Sequence, residues 1–493
     1  MQGGMRPWTA GERSIGPVRR APVPSLLTAA LTALVLLPAG AQAQAQAPAL
    51  SPTAPTAEPT PAPEPASTPA PAEPRERTVP RQLAALRDAG LITPAAHDRA
   101  RDRYAAARAT RARLTGRRRA ELSVVLKTLE AVTRRGELSS TRVPLAFETL
   151  ERNRQWWRTG ALLRYGARVG FRGSELVWQS YPGHGIQLQW LATFGKANAL
   201  FTGRTYDARL RALLEEALAL SATRAGGIAF ESWFEFDGGR PPWVSALSQG
   251  TSLQAFSRAA VRLDDSRWFA AARAALGIFR VAPPEGIRVA TPAGTHYLQY
   301  SFAPRLRIVN GFVQALNGLH DFGALANDQE GRTLFAAGEA ELRVELPLAD
   351  TGAWSRYSVG GRESDLNYHR LLRDFLRGLC ARTREALYCD TAARFTADLT
   401  RPPVLALVAP TAPARKGTPA RVSFTLDKVA AVSLLATRGR QLVFARTARF
   451  ARGRHAFALP KLRRAGALTL RLRAVDPAGN AGAVNGRLAV RSG

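Results

Sequence analysis

From about residue 145 onward, apolar residues recur every three to four positions, as they do in helices that bury one face. This periodicity predicts helices near 146–168, 186–201, 206–222, 244–262, 266–280, 308–325, 330–346 and 365–385, with short extended pieces at 228–236 and 287–300. The stretch 296–320 organises the reading. Tyr297, Leu298, Gln299 and Tyr300 read as a short strand between Gly294 and Pro304, and Phe312, Leu316 and Leu319, flanked by Val309 and Val313, read as a buried helix. Tyr300 therefore ends a strand just before a core helix, where a hydroxyl can face a cleft. Two later tyrosines stand in similar places. Tyr357 follows the turn Asp350-Thr351-Gly352, and Tyr368 opens the helical run Leu371, Leu372, Phe375, Leu376, Leu379. After Arg401-Pro402-Pro403 the period changes to two. Val422, Phe424 and Leu426 alternate with polar neighbours, and similar runs follow at 431–436, 441–445, 454–459 and 468–475.

This pattern predicts a multidomain, mainly α protein. Seven or eight helices joined by short connections over 145–395 suggest an α/α toroid, whose inter-helix loops would gather around one mouth. Residues 402–493 read as a small all-β sandwich. Its Asp476-Pro-Ala-Gly-Asn480 turn resembles the end of bacterial immunoglobulin-like or fibronectin-like modules, which more often serve as spacers or adhesives than as catalysts.

The N-terminal part reads differently. Arg19 and Arg20 precede an apolar run from Leu26 to Leu37, and Ala41-Gln42-Ala43 supplies small residues for cleavage, so residues 1–43 read as a signal peptide. Residues 44–80, rich in Ala, Pro, Thr and Glu, read as a tether without core formers. Residues 81–140 form a basic helical segment that includes the run Arg117-Arg118-Arg119. The expected location is secreted or in the cell envelope, with no membrane span once the signal is removed. The net charge of +31 favours an anionic partner; it is nearly all arginine and spread along the chain, and no nucleic-acid-binding motif accompanies it. The two cysteines, Cys380 and Cys389, are compatible with a disulfide or with two thiols, and neither has neighbours that suggest a metal site.

Four motifs in register carry a family resemblance: Arg240-Pro-Pro-Trp243-Val-Ser-Ala-Leu-Ser-Gln249-Gly250, Tyr300 with Asn310-Gly311-Phe312, Leu346-Pro-Leu-Ala-Asp350-Thr-Gly352, and Asn367-Tyr368-His369. Residues 181–380 resemble the C-terminal domain of the D-glucuronyl C5-epimerases, which act on heparosan and heparan precursors. The resemblance implies the same α/α toroid and an exported C5-epimerase of uronic-acid polysaccharide. Such a reaction removes the proton α to the carboxylate and returns one to the other face, so it needs a base, an acid and donors to the enolate-like carboxylate. It requires neither metal nor organic cofactor. By resemblance Tyr368 is the first choice for proton transfer, with Tyr300 and Tyr357 as partner acid or carboxylate donors. A tyrosine near its ordinary pKa of about 10 would need a guanidinium beside it to act as base.

His184 (between Gly183 and Gly185), Arg240, Trp243, Gln249, Gln299, Asn310, Arg362, Asn367 and His369 are the expected substrate contacts. Two positions depart from the family. Gln299 stands where the family has a glutamate, and Ser358-Val359-Gly360 follow Tyr357, leaving Arg362 as the nearest arginine. The family's N-terminal β domains have no counterpart. Two alternative readings share the site chemistry. A uronate lyase would begin with the same proton abstraction, and a non-catalytic acidic-glycan-binding envelope protein would need only the basic surface.

Overall fold

In the computed structural model, residues 77–203, 206–409 and 414–492 are described. The expected signal peptide lies outside them, as does nearly all of the expected tether. The chain opens with α1 (Val79–Asp88), α2 (Pro94–Arg113), α3 (Gly116–Arg134) and α4 (Val143–Thr159). Although α2 and α3 are rich in arginine, their apolar faces enter the same core as the rest of the helical part, through Ala100, Tyr104 and Ala107 of α2 and Leu122, Leu126 and Leu129 of α3.

A three-stranded antiparallel sheet follows, β1 (Arg168–Val169), β2 (Trp178–Tyr181) and β3 (Gly185–Leu188). The expected helix over 146–168 stops at Thr159. The expected helix over 186–201 starts only at Trp190, because residues 185–188 pair with 178–181. Then come α5 (Trp190–Thr202), α6 (Asp207–Ala219), the hairpin β4 (Ala222–Arg224) and β5 (Gly227–Ala229), α7 (Ala246–Leu263), α8 (Arg267–Ala274) and the single turn α9 (Gly277–Arg280). The hairpin β6 (Arg288–Ala290) and β7 (Thr295–Tyr297) leads to α10 (Val309–Leu325), α11 (Gln329–Ala349), α12 (Leu366–Thr383) and α13 (Ala386–Asp398). The extended stretch expected over 287–300 is thus a hairpin whose pairing ends at Tyr297.

Helices α7 and α10 are buried almost all round and pack directly on each other. Small residues permit the close approach. Gly250 of α7 lies against Ala315 of α10, and Gly318 of α10 lies on the Gly250 carbonyl, so a β-carbon at either position would meet backbone. On α10 the polar residues Asn310, Gln314, Asn317 and Asp321 form one buried stripe. Arg258 of α7 and Arg382 of α12 both pair with Asp321 there, at 3.3 and 2.6 Å. Among the described residues, no helix is long and apolar enough to cross a membrane. Cys380 of α12 and Cys389 of α13 are joined in a disulfide.

The C-terminal part is β-rich, as the two-residue period predicts. Strands β8 (Leu405–Val408), β10 (Ala420–Leu426) and β13 (Gly453–Leu459) form one sheet in the order β13-β10-β8. Strands β9 (Ala414–Arg415), β11 (Ala430–Arg438), β12 (Gln441–Phe450), β14 (Gly466–Val475) and β15 (Ala481–Arg491) form the second. Val422, Phe424, Leu426, Val432, Leu434, Leu470 and Leu472 share a core separate from that of the helices.

Candidate active site

Tyr300, Tyr357 and Tyr368 come from three separate elements. After β7 the chain bends at Gln299. The chain on either side of this bend is fixed by hydrogen bonds from the Ala246 amide to the Leu298 carbonyl (3.0 Å) and from the Ser301 amide to the Val244 carbonyl (3.1 Å). Tyr357 lies in the hairpin Ser355–Ser364. Its amide donates to the Arg362 carbonyl (3.0 Å), and its carbonyl accepts from the Val309 amide at the start of α10 (3.3 Å). Tyr368 is set by a helix cap: Asp365 precedes α12 and its carboxylate accepts from the Tyr368 amide at 2.9 Å.

The three hydroxyls act on one another in a row with Tyr357 in the middle, coupled to Tyr300 on one side and to Tyr368 on the other. The rings of Tyr357 and Tyr368 meet edge to face at 4.7 Å. Gln299 joins at the Tyr300 end, where its amide nitrogen donates to the Tyr300 hydroxyl (3.2 Å). Strict strand alternation would aim Gln299 away from Tyr300. Because pairing stops at Tyr297 and the chain bends, both side chains reach the same place. The Gln299 amide lies against Gly311 of α10, in room that only a missing side chain leaves.

Burial raises the pKa of all three phenols. The charged groups acting on the two ends of the row are the carboxylates Asp237 and Asp365, which raise Tyr300 and Tyr368 further. The expected guanidinium is not among these influences, and Arg240 and Arg362 are both exposed. Only hydrogen bonding opposes burial. Tyr300 receives it from both Tyr357 and Gln299, and Tyr368 from Tyr357.

An aromatic wall surrounds the row. Phe302 lies nearly parallel to Tyr300 with centroids 5.3 Å apart, while Phe236 and Trp243 approach at 5.3 and 5.6 Å. Trp243 is buried, with its indole N–H on the Phe234 carbonyl at 2.9 Å. Tyr181 stacks on Phe234 at 4.6 Å, and the His184 ring lies 5.8 Å from Phe234. Tyr165 meets Tyr181 edge-on at 5.5 Å, and its pKa is raised by burial and by the nearby Tyr300. Five of the nine tyrosines are therefore gathered here. The sequence reading named three of these and missed Tyr165 and Tyr181. The usable signal was the pair of extended runs around Pro182-Gly183-His184-Gly185, from which only His184 was taken. That turn is held from α3, where the Glu121 carboxylate accepts from the Gly183 and Gly185 amides at 2.9 and 3.0 Å.

Two polar residues expected at the substrate, Gln249 and His369, are instead committed to backbone groups inside the protein. Gln249 is 1% exposed, donates to the Ile228 and Ala275 carbonyls at 2.8 and 3.0 Å, and accepts from the Phe230 amide. His369 is fully buried against Trp354, with centroids 3.8 Å apart. Its Nε2 faces the Phe395 carbonyl at 3.0 Å, so it carries the proton there, and Nδ1 accepts from the Ser355 amide. Burial pushes this histidine down to about 4, so it is neutral at pH 7. Asn310 is buried beside Gly311, its side-chain oxygen without a partner, and Asn367 is half-buried next to Tyr368.

Residues 226–397 match the model of the D-glucuronyl C5-epimerase C-terminus. A D-glucuronyl C5-epimerase of Caenorhabditis elegans is 30% identical over 132 residues. This part of the chain is similar to the C-terminal region of the D-glucuronyl C5-epimerases. The C. elegans alignment spans 24% of this chain and 21% of the relative. An uncharacterized protein of Methanocaldococcus jannaschii is 26% identical over 30% of this chain and 49% of its own length. The chain thus spans between a fifth and a half of these curated relatives. Among solved structures, a GH76 alpha-mannanase of Bacteroides thetaiotaomicron aligns with 46% of this chain and 65% of its own, at 9% identity and a TM-score of 0.32. All three tyrosines of the row fall within the epimerase-family region, whereas Tyr165, Tyr181 and His184 precede it.

Proposed function

We propose that the protein is an exported hexuronyl C5-epimerase acting on a uronic-acid polysaccharide of the heparosan type. The observation that carries this reading is the convergence of Tyr300, Tyr357 and Tyr368 in one coupled row. Tyr300 and Tyr368, at its two ends, are the proposed proton-transferring pair, and Tyr357 hands the proton balance between them. When one end gives up its proton, Tyr357 donates to the resulting phenolate, which favours the charged form. The phenolate takes the C5 proton, and the neutral end returns one to the opposite face. The C5 proton is acidified by the adjacent carboxylate. The exposed Arg240 and Arg362 are proposed to meet that carboxylate, supplying on substrate binding the positive charge that the free site lacks. Trp243, Phe236 and Phe302 offer flat apolar faces to a sugar ring. Gln299 holds the Tyr300 hydroxyl but has no proton to exchange.

The helices are read as an α/α toroid, with α7 and α10 at its centre and the tyrosine loops at one mouth. The C-terminal sheets are read as an immunoglobulin-like sandwich, and the N-terminal Arg19-Arg20 and apolar run support export. The test is incubation with heparosan in D2O, followed by NMR. Deuterium at C5 of a uronate in an intact chain supports the reading. An unsaturated uronate at new chain ends would assign elimination instead, and unchanged polymer would remove the enzymatic reading.

A further inference from the structure

We infer that the C-terminal β unit is a working part of the tyrosine site, holding the Tyr357 hairpin from behind through Glu363 and Lys428. Glu363 lies on the returning arm of that hairpin, bridged to Arg356, the residue before Tyr357. Its carboxylate points away from the row and into the β unit. One oxygen accepts from the Val429 amide, between β10 and β11, at 2.9 Å, and the other from the Arg452 amide, between β12 and β13, at 2.8 Å. Both are charge-assisted bonds at a site only 8% exposed. Arg452 also reaches the Thr351 carbonyl at 3.3 Å, at the turn that leads into the hairpin.

Lys428 makes the second attachment. Its ammonium group is fully buried and donates to Asp476 at 3.0 Å and to the Asp398 and Arg401 carbonyls. It also lies 5.4 Å from the centre of the Trp354 ring. That ring is also stacked on His369, the residue after Tyr368, and its N–H bonds the Ser364 carbonyl at 2.9 Å. Each of the two later tyrosines is therefore backed by one cation or one carboxylate contact with the β unit. A spacer module would be joined through solvated, mobile contacts. Here a buried lysine with every donor occupied and a buried carboxylate shared between two turns define one docking pose. Both residues are positioning residues, since neither touches the row directly.

The test uses the full chain with Glu363→Ala and Glu363→Gln, and it rests on the epimerase reading only for its rate measurement. Amide hydrogen exchange should quicken at least about tenfold over residues 351–364 in Glu363→Ala, which loses two charge-assisted bonds of which one alone accounts for that factor, while α7, α10, β11 and β14 keep their protection. The kcat for deuterium entry at C5 should fall about 10²-fold, as displacements near 1 Å cause, with KM changed less than about threefold. Glu363→Gln, nearly the same size and still an acceptor on one side, should fall between Glu363→Ala and the wild type on both readouts. If Glu363→Ala does not fold, Glu363→Gln carries the same two comparisons. Unchanged exchange in the hairpin, or loosening spread equally through the helices, would overturn the inference. A wild type without deuterium at C5 would remove the epimerase reading, and the exchange pattern would still decide the clamp.

Discussion

Gln299→Glu restores a carboxyl at the one position of the row where the family resemblance expects it, and the structure sets its consequences. Gln299 is 6% exposed, donates to Tyr300, and its side-chain oxygen has no partner. A carboxyl there is desolvated by Gly311 and the aromatic wall, so its pKa rises; about 2 units is a moderate figure for such burial. At 1.36 kcal/mol per unit this amounts to about 2.7 kcal/mol, offset in part by the Tyr300 hydroxyl turning to donate. The folded pKa lies above the unfolded value of about 4.3. The variant should therefore match the wild type near pH 4, lose relative stability as pH rises through about 6.5, and stay level beyond. Denaturant unfolding of both proteins across that range reads the difference. Activity should move in the opposite sense. The wild type, holding a glutamine there, is expected to let deuterium into C5 faster than it accumulates inverted product. The variant should raise inversion by about tenfold or more, at the lower edge of what general acid–base groups contribute. A stability difference that does not change with pH would mean that the side chain is solvated. Robust wild-type inversion, unchanged or reduced in Gln299→Glu, would refute the role given to this position.

Tyr357→Phe removes only the central hydroxyl. At most two neutral hydrogen bonds, at about 1 kcal/mol each, bound the stability loss at about 2 kcal/mol, while deuterium entry should fall 10²-fold or more; an unchanged rate would disconnect the row from chemistry. The phenols of Tyr181, Tyr357 and Tyr368 titrate above their ordinary value of 10.0, so stability is intact below pH 10 and falls as pH rises beyond it. Phenolate absorbance should appear together with unfolding, and Tyr357→Phe should make the decline shallower. Gly318→Ala places a methyl on the Gly250 backbone and should lower stability by about 3 kcal/mol or more; a silent result in denaturant unfolding would mean that α7 and α10 are not in contact there.

Much of this arrangement could be read from the chain alone. Phe312, Leu316 and Leu319 recur at helical spacing and all lie in the core, and Val422, Phe424 and Leu426 alternate and face inward. The short strands β2 and β3 escaped because every residue in them is buried, the polar Gln179, Ser180 and Gln187 included, so no alternation of apolar and polar positions marks them. Gln249 and His369 show a different limit. A polar residue inside a functional motif looks the same whether it faces a sugar or a backbone carbonyl, and both of these face carbonyls. The clamp at Glu363 was out of reach because its partners stand 66 and 89 residues away and are backbone amides, which have no side-chain signature.

The carboxylate of Glu121 reaches the turn that carries His184 across 62 residues of chain. A fragment trimmed to the family-matched residues would keep the tyrosine row but leave it open on one side, because the wall of Tyr165, Tyr181 and His184 would be gone. The arginine-rich helices before that region are thus half of a mould. Their sequence can vary freely on the solvent side, whereas position 121 must keep an acceptor of glutamate's length for as long as the facing turn needs Gly183 and Gly185 at positive φ. Grafting the matched region onto another N-terminal segment should succeed only where that segment brings its own acceptor to the same turn.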